Sequence, residues 1–443
     1  MRTIRLLQSS KKTITLALVL SSWLLASARC AEAPANSPTA EWTVMIFLNA
    51  DNNLEADALK NFSDIAKIGS TDKVNIVVQF DRNGRYAVTN PQWTQTLRLL
   101  VKKGMTPTPA TAVEDIGEAD MGDGAVLKAF VDWAKAKYPA RHYFLEIWDH
   151  GQGWRVMMRS AIDEFRTAEQ GQPERSATFR SVSVDDTNNG NQLYNRKIQD
   201  ALSGYHLDLI GFDACLMSMI ETAYALRNVA HVMVGSEEEE PGEGWKYDDW
   251  LNRLEANPSM DGAALGSLLV DSYRKRYGDN DATTLSAIDL SKAEDVASAV
   301  SVLGDQLGNE LNKNSNGVVQ ARTKCSVYAP NPFGDGKDYF QHIDLGYFCD
   351  QLRGLDPEVK DAASKVRSKV KECVLANYAS KQRMGSFGST GLAIYFPKSG
   401  AIYKKDPYQE NGYEKDNQRF PVEFVQRFHW ADFLHEYFAK VPN

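Results

Sequence analysis

The sequence predicts an α/β protein built on a mostly parallel sheet that is covered on both faces. Three observations carry this. Apolar runs recur at 42–48, 74–80, 143–148, 209–212 and 232–235, and they are apolar throughout rather than alternating, as strands buried on both sides require. Between them lie stretches whose apolar residues recur at helical spacing, over 54–68, 122–138 and 194–202. Two of the runs end in chemically capable residues, His150 and Cys215, at the strand tips where α/β sheets gather their sites.

In chain order, a strand at 42–48 leads into the polar turn Asn49-Ala50-Asp51-Asn52-Asn53 and the first helix. The strand 74–80 ends in the turn Asp81-Arg82-Asn83-Gly84, and 86–101 reads as one or two antiparallel strands. Helix 122–138 precedes the histidine strand 143–149. A long polar stretch follows, then helix 194–202 and the cysteine strand from Asp208, with a helix beginning at Cys215. After the strand 232–236 comes the acidic stretch Glu237-Glu238-Glu239-Glu240-Pro241-Gly242-Glu243, of which Glu237 to Glu240 read as mainly a solvated face, and 250–277 is mostly helical. Later residues predict strands at 284–290, 324–329 and 390–396 and helices at 291–311, 358–378 and 424–439. The predicted organisation is a main domain at 42–254 and a C-terminal α/β region at 255–443 docked on it.

Residues 1–28 read as a secretory signal peptide: Arg2, Arg5, Lys11 and Lys12, an apolar run over 13–25, then Ala26-Ser27-Ala28. The run is too short for a comfortable membrane span. Arg29, directly before Cys30, argues against a lipidated anchor there, and 29–41 is a disordered lead-in. Cleavage removes four basic residues and no acid, moving the formal charge from −8 to −12. Such an acidic chain lacks the basic footprint of a nucleic-acid binder and favours cationic ligands. The five cysteines, at 30, 215, 325, 349 and 373, show no zinc spacing. Cys349 and Cys373 could pair, and the late cysteines could equally be buried apolar residues.

A thiol cleaves amides as a thiolate or when a base takes its proton, and histidine is the usual base. The developing oxyanion needs donors, often backbone N–H groups. If the strands ending in His150 and Cys215 are parallel neighbours, these residues meet at one sheet edge. Gly151 then allows close approach of substrate backbone, and Asp149 and Asp213 sit at the same mouth. A lone cysteine or histidine is more often structural.

Five blocks resemble the clostripain-like family of cysteine peptidases in the caspase-like clan. They are Trp42-Thr43-Val44-Met45-Ile46-Phe47-Leu48-Asn49-Ala50-Asp51-Asn52-Asn53-Leu54-Glu55, Trp148-Asp149-His150-Gly151-Gln152-Gly153-Trp154, Gly211-Phe212-Asp213-Ala214-Cys215-Leu216-Met217, Pro241-Gly242-Glu243-Gly244-Trp245 and the 391–397 strand. The resemblance implies a caspase-like α/β/α sandwich and endopeptidase activity after arginine or lysine. It implies Cys215 as nucleophile, His150 as the histidine that chiefly protonates the leaving amine, and the Gly151 and Cys215 N–H groups as oxyanion donors. Gln152 stands where the family often has glycine. Asp213 and Glu243 match its acidic pocket positions; Asp213 could instead cap the helix that follows.

The stretch 155–184 is long, polar and holds Arg159, Arg166, Arg175 and Arg180. Members of the family mature by cutting here, so self-cleavage to a nicked two-chain enzyme is expected, otherwise a monomer. No cofactor is required by the dyad; calcium stays open, because some members depend on it and because Asp51-Asn52-Asn53 and Asp185-Asp186-Thr187-Asn188-Asn189 offer oxygen ligands. Expected partners are protein or peptide substrates, and the expected location is secreted or periplasmic. Two rival readings are a silent scaffold with this fold and a cysteine hydrolase of a non-peptide acyl group.

Overall fold

A computed structural model describes residues 40–86, 92–155, 182–279, 281–330, 340–384, 388–405 and 413–443. The leader at 1–28, Cys30 and the four arginines at 159, 166, 175 and 180 lie outside these residues. The strands are β1 (Ala40–Ala50), β2 (Val74–Arg82), β3 (Leu97–Leu100), β4 (Glu114–Asp115), β5 (Ala140–Trp148), β6 (Val182–Asp185), β7 (Asn191–Leu193), β8 (Leu207–Asp213), β9 (Ala230–Gly235), β10 (Thr284–Asp289), β11 (His342–Asp344), β12 (Val374–Ala379) and β13 (Ala393–Tyr395). Nine of them form one sheet in the order β12-β10-β9-β8-β5-β1-β2-β3-β4.

The five central strands, β9-β8-β5-β1-β2, are parallel. Strand residues alternate between two cores, as a period of two dictates. Met45, Phe47, Leu145, Ile147, Ile210 and Phe212 face one core; Val44, Ile46, Leu48, Phe144, Trp148 and Leu209 face the other. Helices Gly124–Lys137, Ile220–Leu226 and Ala293–Thr323 cover the first face. Helices Glu55–Ala66, Tyr247–Ala256 and Gly262–Tyr277 cover the second. This is the caspase-like α/β/α sandwich, with antiparallel pairings at both margins.

The region after 254 contributes β10 and β12 to this same sheet. The predicted helix 358–378 ends at Cys373, and Val374–Ala379 is strand β12. Its burial alternates, as suits an edge strand, and pairing with β10 outweighs helical continuation. The stretch 324–329 forms no strand; Tyr328 makes one backbone bond to His342 O instead. The late strand β13 pairs with β11, outside the large sheet. It still reaches the cysteine loop: Ala393 N–H donates to Ser218 O at 2.9 Å, and Tyr395 N–H to the Glu221 carboxyl at 3.0 Å. Cys325, Cys349 and Cys373 are buried free thiols, so Cys349 and Cys373 are not bridged. Among the described residues no helix is long and apolar enough to cross a membrane.

Candidate active site

Strand register brings the two reactive residues together. Trp148 of β5 pairs with Asp213 of β8, so His150 and Cys215, each two residues further, leave the sheet at the same level. Gly151 is where the two loops touch. A Cβ on it would lie 2.3 Å from Cys215 O and 2.9 Å from Cys215 N; only glycine permits that approach. Among the described residues, neither the Gly151 nor the Cys215 N–H is engaged in a hydrogen bond. Both residues line a cleft of about 430 Å³ with His150, Asp213, Glu240 and Asp281.

The histidine turn is held by a polar knot. The Asp149 carboxyl is buried and accepts from Asn52 Nδ2 at 2.8 Å, Asn49 Nδ2 at 3.4 Å and the His150 N–H at 2.6 Å. It also accepts from the Val184 N–H, just beyond the polar stretch. Asp149 is therefore a clamp for the turn. His150 Nε2 lies 2.9 Å from Asn53 Oδ1; with the amide oxygen accepting, Nε2 carries the proton. The sequence offers Asn53 as part of a polar turn and a candidate cation ligand, not as a partner of His150.

The cysteine differs from its sequence reading in one respect. The helix does not start at Cys215 but at Ile220. Long-range backbone bonds compete with helix formation here: Leu216 N–H donates to Glu238 O, Ser218 N–H to Ser236 O, and Leu216 takes a φ of +63°. No helix dipole acts on the thiol. Its Sγ accepts from Glu240 N–H at 3.2 Å. Burial, and then Glu239, push the thiol well above its ordinary range, so it rests protonated. Asp213 does not cap the helix either, since Met219 holds that position.

Asp213 is the floor of the cleft. It is buried, and accepts from Trp245 N–H at 2.9 Å and the Tyr247 hydroxyl at 2.7 Å. Burial raises it to about 6. Gly244, with φ +65°, lets the turn close over it, since a Cβ there would lie 2.5 Å from Asp213 Oδ2. Glu243 points to solvent, while its neighbours Gly242 and Gly244 line the cleft. Glu240 lines the cleft as well. The acidic run is not a solvated face. Glu237 and Glu238 are buried: Glu237 accepts from Gly391 N–H at 3.1 Å, Glu238 from Ala329 N–H at 2.5 Å, and Arg383 lies 3.4 Å from Glu238. These partners are 90 or more residues away in sequence, beyond what a local charge run reveals. Gln152 is also buried, with both amide atoms unpartnered.

The two ends of the stretch 155–184 are fixed. Arg155 is buried against the rings of Phe340 and Tyr395, and Val182, Ser183 and Val184 are buried in β6.

A second acidic group lies beside the histidine loop. Carboxylate oxygens of Asp51, Asp81, Glu118 and Asp185 all lie within 4.8 Å of one another. Asp81 Oδ2 is buried and unpartnered. Burial first, and then neighbouring acids, raise Asp81, bring Glu118 to about 7 and Asp185 to about 8. Four hard oxygen donors, one of them orphaned, suit a hard divalent cation. The sequence reading held Asp51 and Asp185 and missed Asp81 and Glu118, which come from β2 and from beyond β4.

Residues 46–437 match the clostripain family. Clostripain of Hathewaya histolytica is 28% identical, over 82% of this chain and 75% of that protein. Two solved structures share the fold. An inactive zymogen C11 protease from Parabacteroides distasonis has a TM-score of 0.57 at 18% identity, covering 90% of this chain and 99% of that one. A secreted C11 cysteine protease from Bacteroides thetaiotaomicron, bound to an irreversible peptide inhibitor, has a TM-score of 0.57 at 20% identity, covering 87% and 98%.

Proposed function

The chain belongs to the clostripain family of cysteine endopeptidases, and on that premise we propose that it is an exported enzyme that cuts after arginine or lysine. The observation that carries this is the buried Asp213 carboxyl on the cleft floor, two residues before Cys215. A carboxylate there offers bidentate contact to a guanidinium or a point contact to an ammonium.

In this reading Cys215 Sγ attacks the scissile carbonyl and its proton passes to His150. The oxyanion is met by the Gly151 and Cys215 N–H groups. The C–N bond then breaks as the histidine protonates the leaving amine, and water hydrolyses the thioester. Asn53 orients the imidazole through Nε2, and in this reading Nδ1 exchanges the proton. The resting thiol is protonated, so proton transfer accompanies attack.

Self-cleavage after Arg159, Arg166, Arg175 or Arg180 would mature the enzyme without separating β5 from β8. The secretory reading of residues 1–28 rests on the leader's composition. Calcium at Asp51, Asp81, Glu118 and Asp185 would tie β1 and β2 to β6, whose Val184 N–H reaches the histidine clamp.

Fluorogenic peptides with Arg, Lys, Asp or Ala before the scissile bond test the reading. Wild type should turn over the Arg and Lys peptides, and Cys215→Ala none. Preference for the Asp peptide would overturn the pocket assignment. A Cys215→Ala chain that is still cut at the same bond when produced alone would rule out self-processing.

A further inference from the structure

The wall of the cleft carries a carboxyl that the Pro-Gly-Glu-Gly-Trp turn does not supply. Glu240 Oε2 accepts from Trp245 Nε1 at 2.9 Å, and its Oε1 is buried without a partner. Two more buried atoms nearby lack partners, the Tyr273 hydroxyl and Glu146 Oε2.

Counting protons narrows what this arrangement can be. A hydroxyl has one proton to donate, and an ionised carboxylate can only accept. The Tyr247 hydroxyl meets both Asp213 and Glu146 and donates to one of them, so the other carboxyl must carry a proton of its own. The groups facing the pair are Glu146 from β5, Tyr247 from its helix, Tyr273, Arg276 and Tyr277 from helix Gly262–Tyr277, Cys215, and Glu239 and Glu243 on the same loop. Arg276 is the one cation in that set. It lies 3.5 Å from Trp245 O, which fixes it to the turn. Fully ionised, such a pocket would hold several buried charges with one resident counter-charge, which is costly.

We propose that Glu240 is the second specificity-determining acid of this cleft, acting with Asp213, and that the substrate-free pocket holds a proton that an incoming guanidinium or ammonium displaces to solvent. The inference rests on the reading that the enzyme cuts after arginine or lysine. Cation and proton compete for one site, so KM for a basic substrate falls as pH rises. The orphaned Glu240 Oε1 and Tyr273 hydroxyl gain partners when the cation arrives.

Two measurements test this. Benzamidine binding to the full-length Cys215→Ala protein, followed by calorimetry at pH 6 in buffers of different ionisation enthalpy, should release roughly one proton per ligand. Glu240→Gln should raise KM for an Arg peptide roughly 10- to 100-fold with kcat little changed, and should reduce proton release in the Cys215→Ala background. Binding without proton release, or unaltered Glu240→Gln kinetics, overturns the inference while leaving arginine specificity intact. A larger KM effect from Glu243→Gln than from Glu240→Gln also overturns it. Failure of wild type to cleave either basic peptide overturns the specificity reading and this inference together. The proton measurement needs no pocket variant, so a misfolded Glu240→Gln leaves the question answerable.

Discussion

Two groups of largely buried carboxyls sit at the C-terminal end of this sheet, and they solve the same electrostatic problem differently. Asp213, Glu240 and Glu146 lie around β8 and β5 and are fenced by Trp245 and tyrosines. Asp51, Asp81, Glu118 and Asp185 lie around β1 and β2, among asparagine, threonine and backbone N–H donors, such as Thr96 Oγ1 on Asp81 and Met121 N–H on Asp185. The first group opens into the cleft beside the nucleophile; the second lies outside the set of cleft-lining residues. An aromatic fence makes ionisation costly and favours a proton, which under the proposed specificity a substrate cation would displace. Four carboxylates converging from four segments suit a spherical cation that knits those segments together. Acidity alone therefore does not define a site; the fence around it does.

Asp213→Asn would break this contrast most sharply. It should lower kcat/KM for Arg peptides about 100- to 1,000-fold, while the melting temperature still rises on adding calcium. Loss of that calcium response in Asp213→Asn would merge the two groups into one. The converse variant, Asp81→Asn with Asp185→Asn, should abolish a calcium-dependent gain of about 2–3 kcal/mol in stability, read as a melting shift after EGTA treatment. Its KM for Arg peptides should stay near that of wild type.

The pH dependence of stability sharpens the contrast further. Asp213 is raised to about 6, and Glu240 and Glu146 are raised by burial. The folded chain thus keeps protons that the unfolded chain releases near pH 4, and stability falls as pH rises from there through the folded values. Each retained proton gives a slope of about 1.4 kcal/mol per pH unit. Benzamidine should flatten that slope in urea melts at pH 5 and pH 8. An unchanged slope would show that the ligand does not draw on these carboxyls. The smallest effect concerns the turn the two groups share. Asn53→Ala should lower kcat about 10-fold by loosening His150, leaving the calcium response of Asp51, two residues away, intact.

Much of the architecture was legible because strands buried on both faces write themselves as continuous apolar runs. β1, β2, β5, β8 and β9 fall where such runs do, and the β5–β8 pairing then brings His150 and Cys215 level. What was illegible depends on partners distant in sequence. Val374–Ala379 is a strand because β10 is beside it. Glu238 is buried because Arg383 and Ala329 reach it. The delayed helix after Cys215 follows from bonds to 236 and 238. Asp81 and Glu118 join Asp51 only once β2 and the segment after β4 are folded against β1.

The recessed thiol has a consequence for how the enzyme endures between substrates. Oxidants and alkylating agents attack thiolate far faster than thiol. A Cys215 held protonated by burial and by the acids at 238–240 offers them little to react with. A substrate cation bound at Asp213 and Glu240 as proposed would offset part of that negative charge and make the thiol easier to ionise. The nucleophile is thus least vulnerable while idle and most reactive once a substrate covers it.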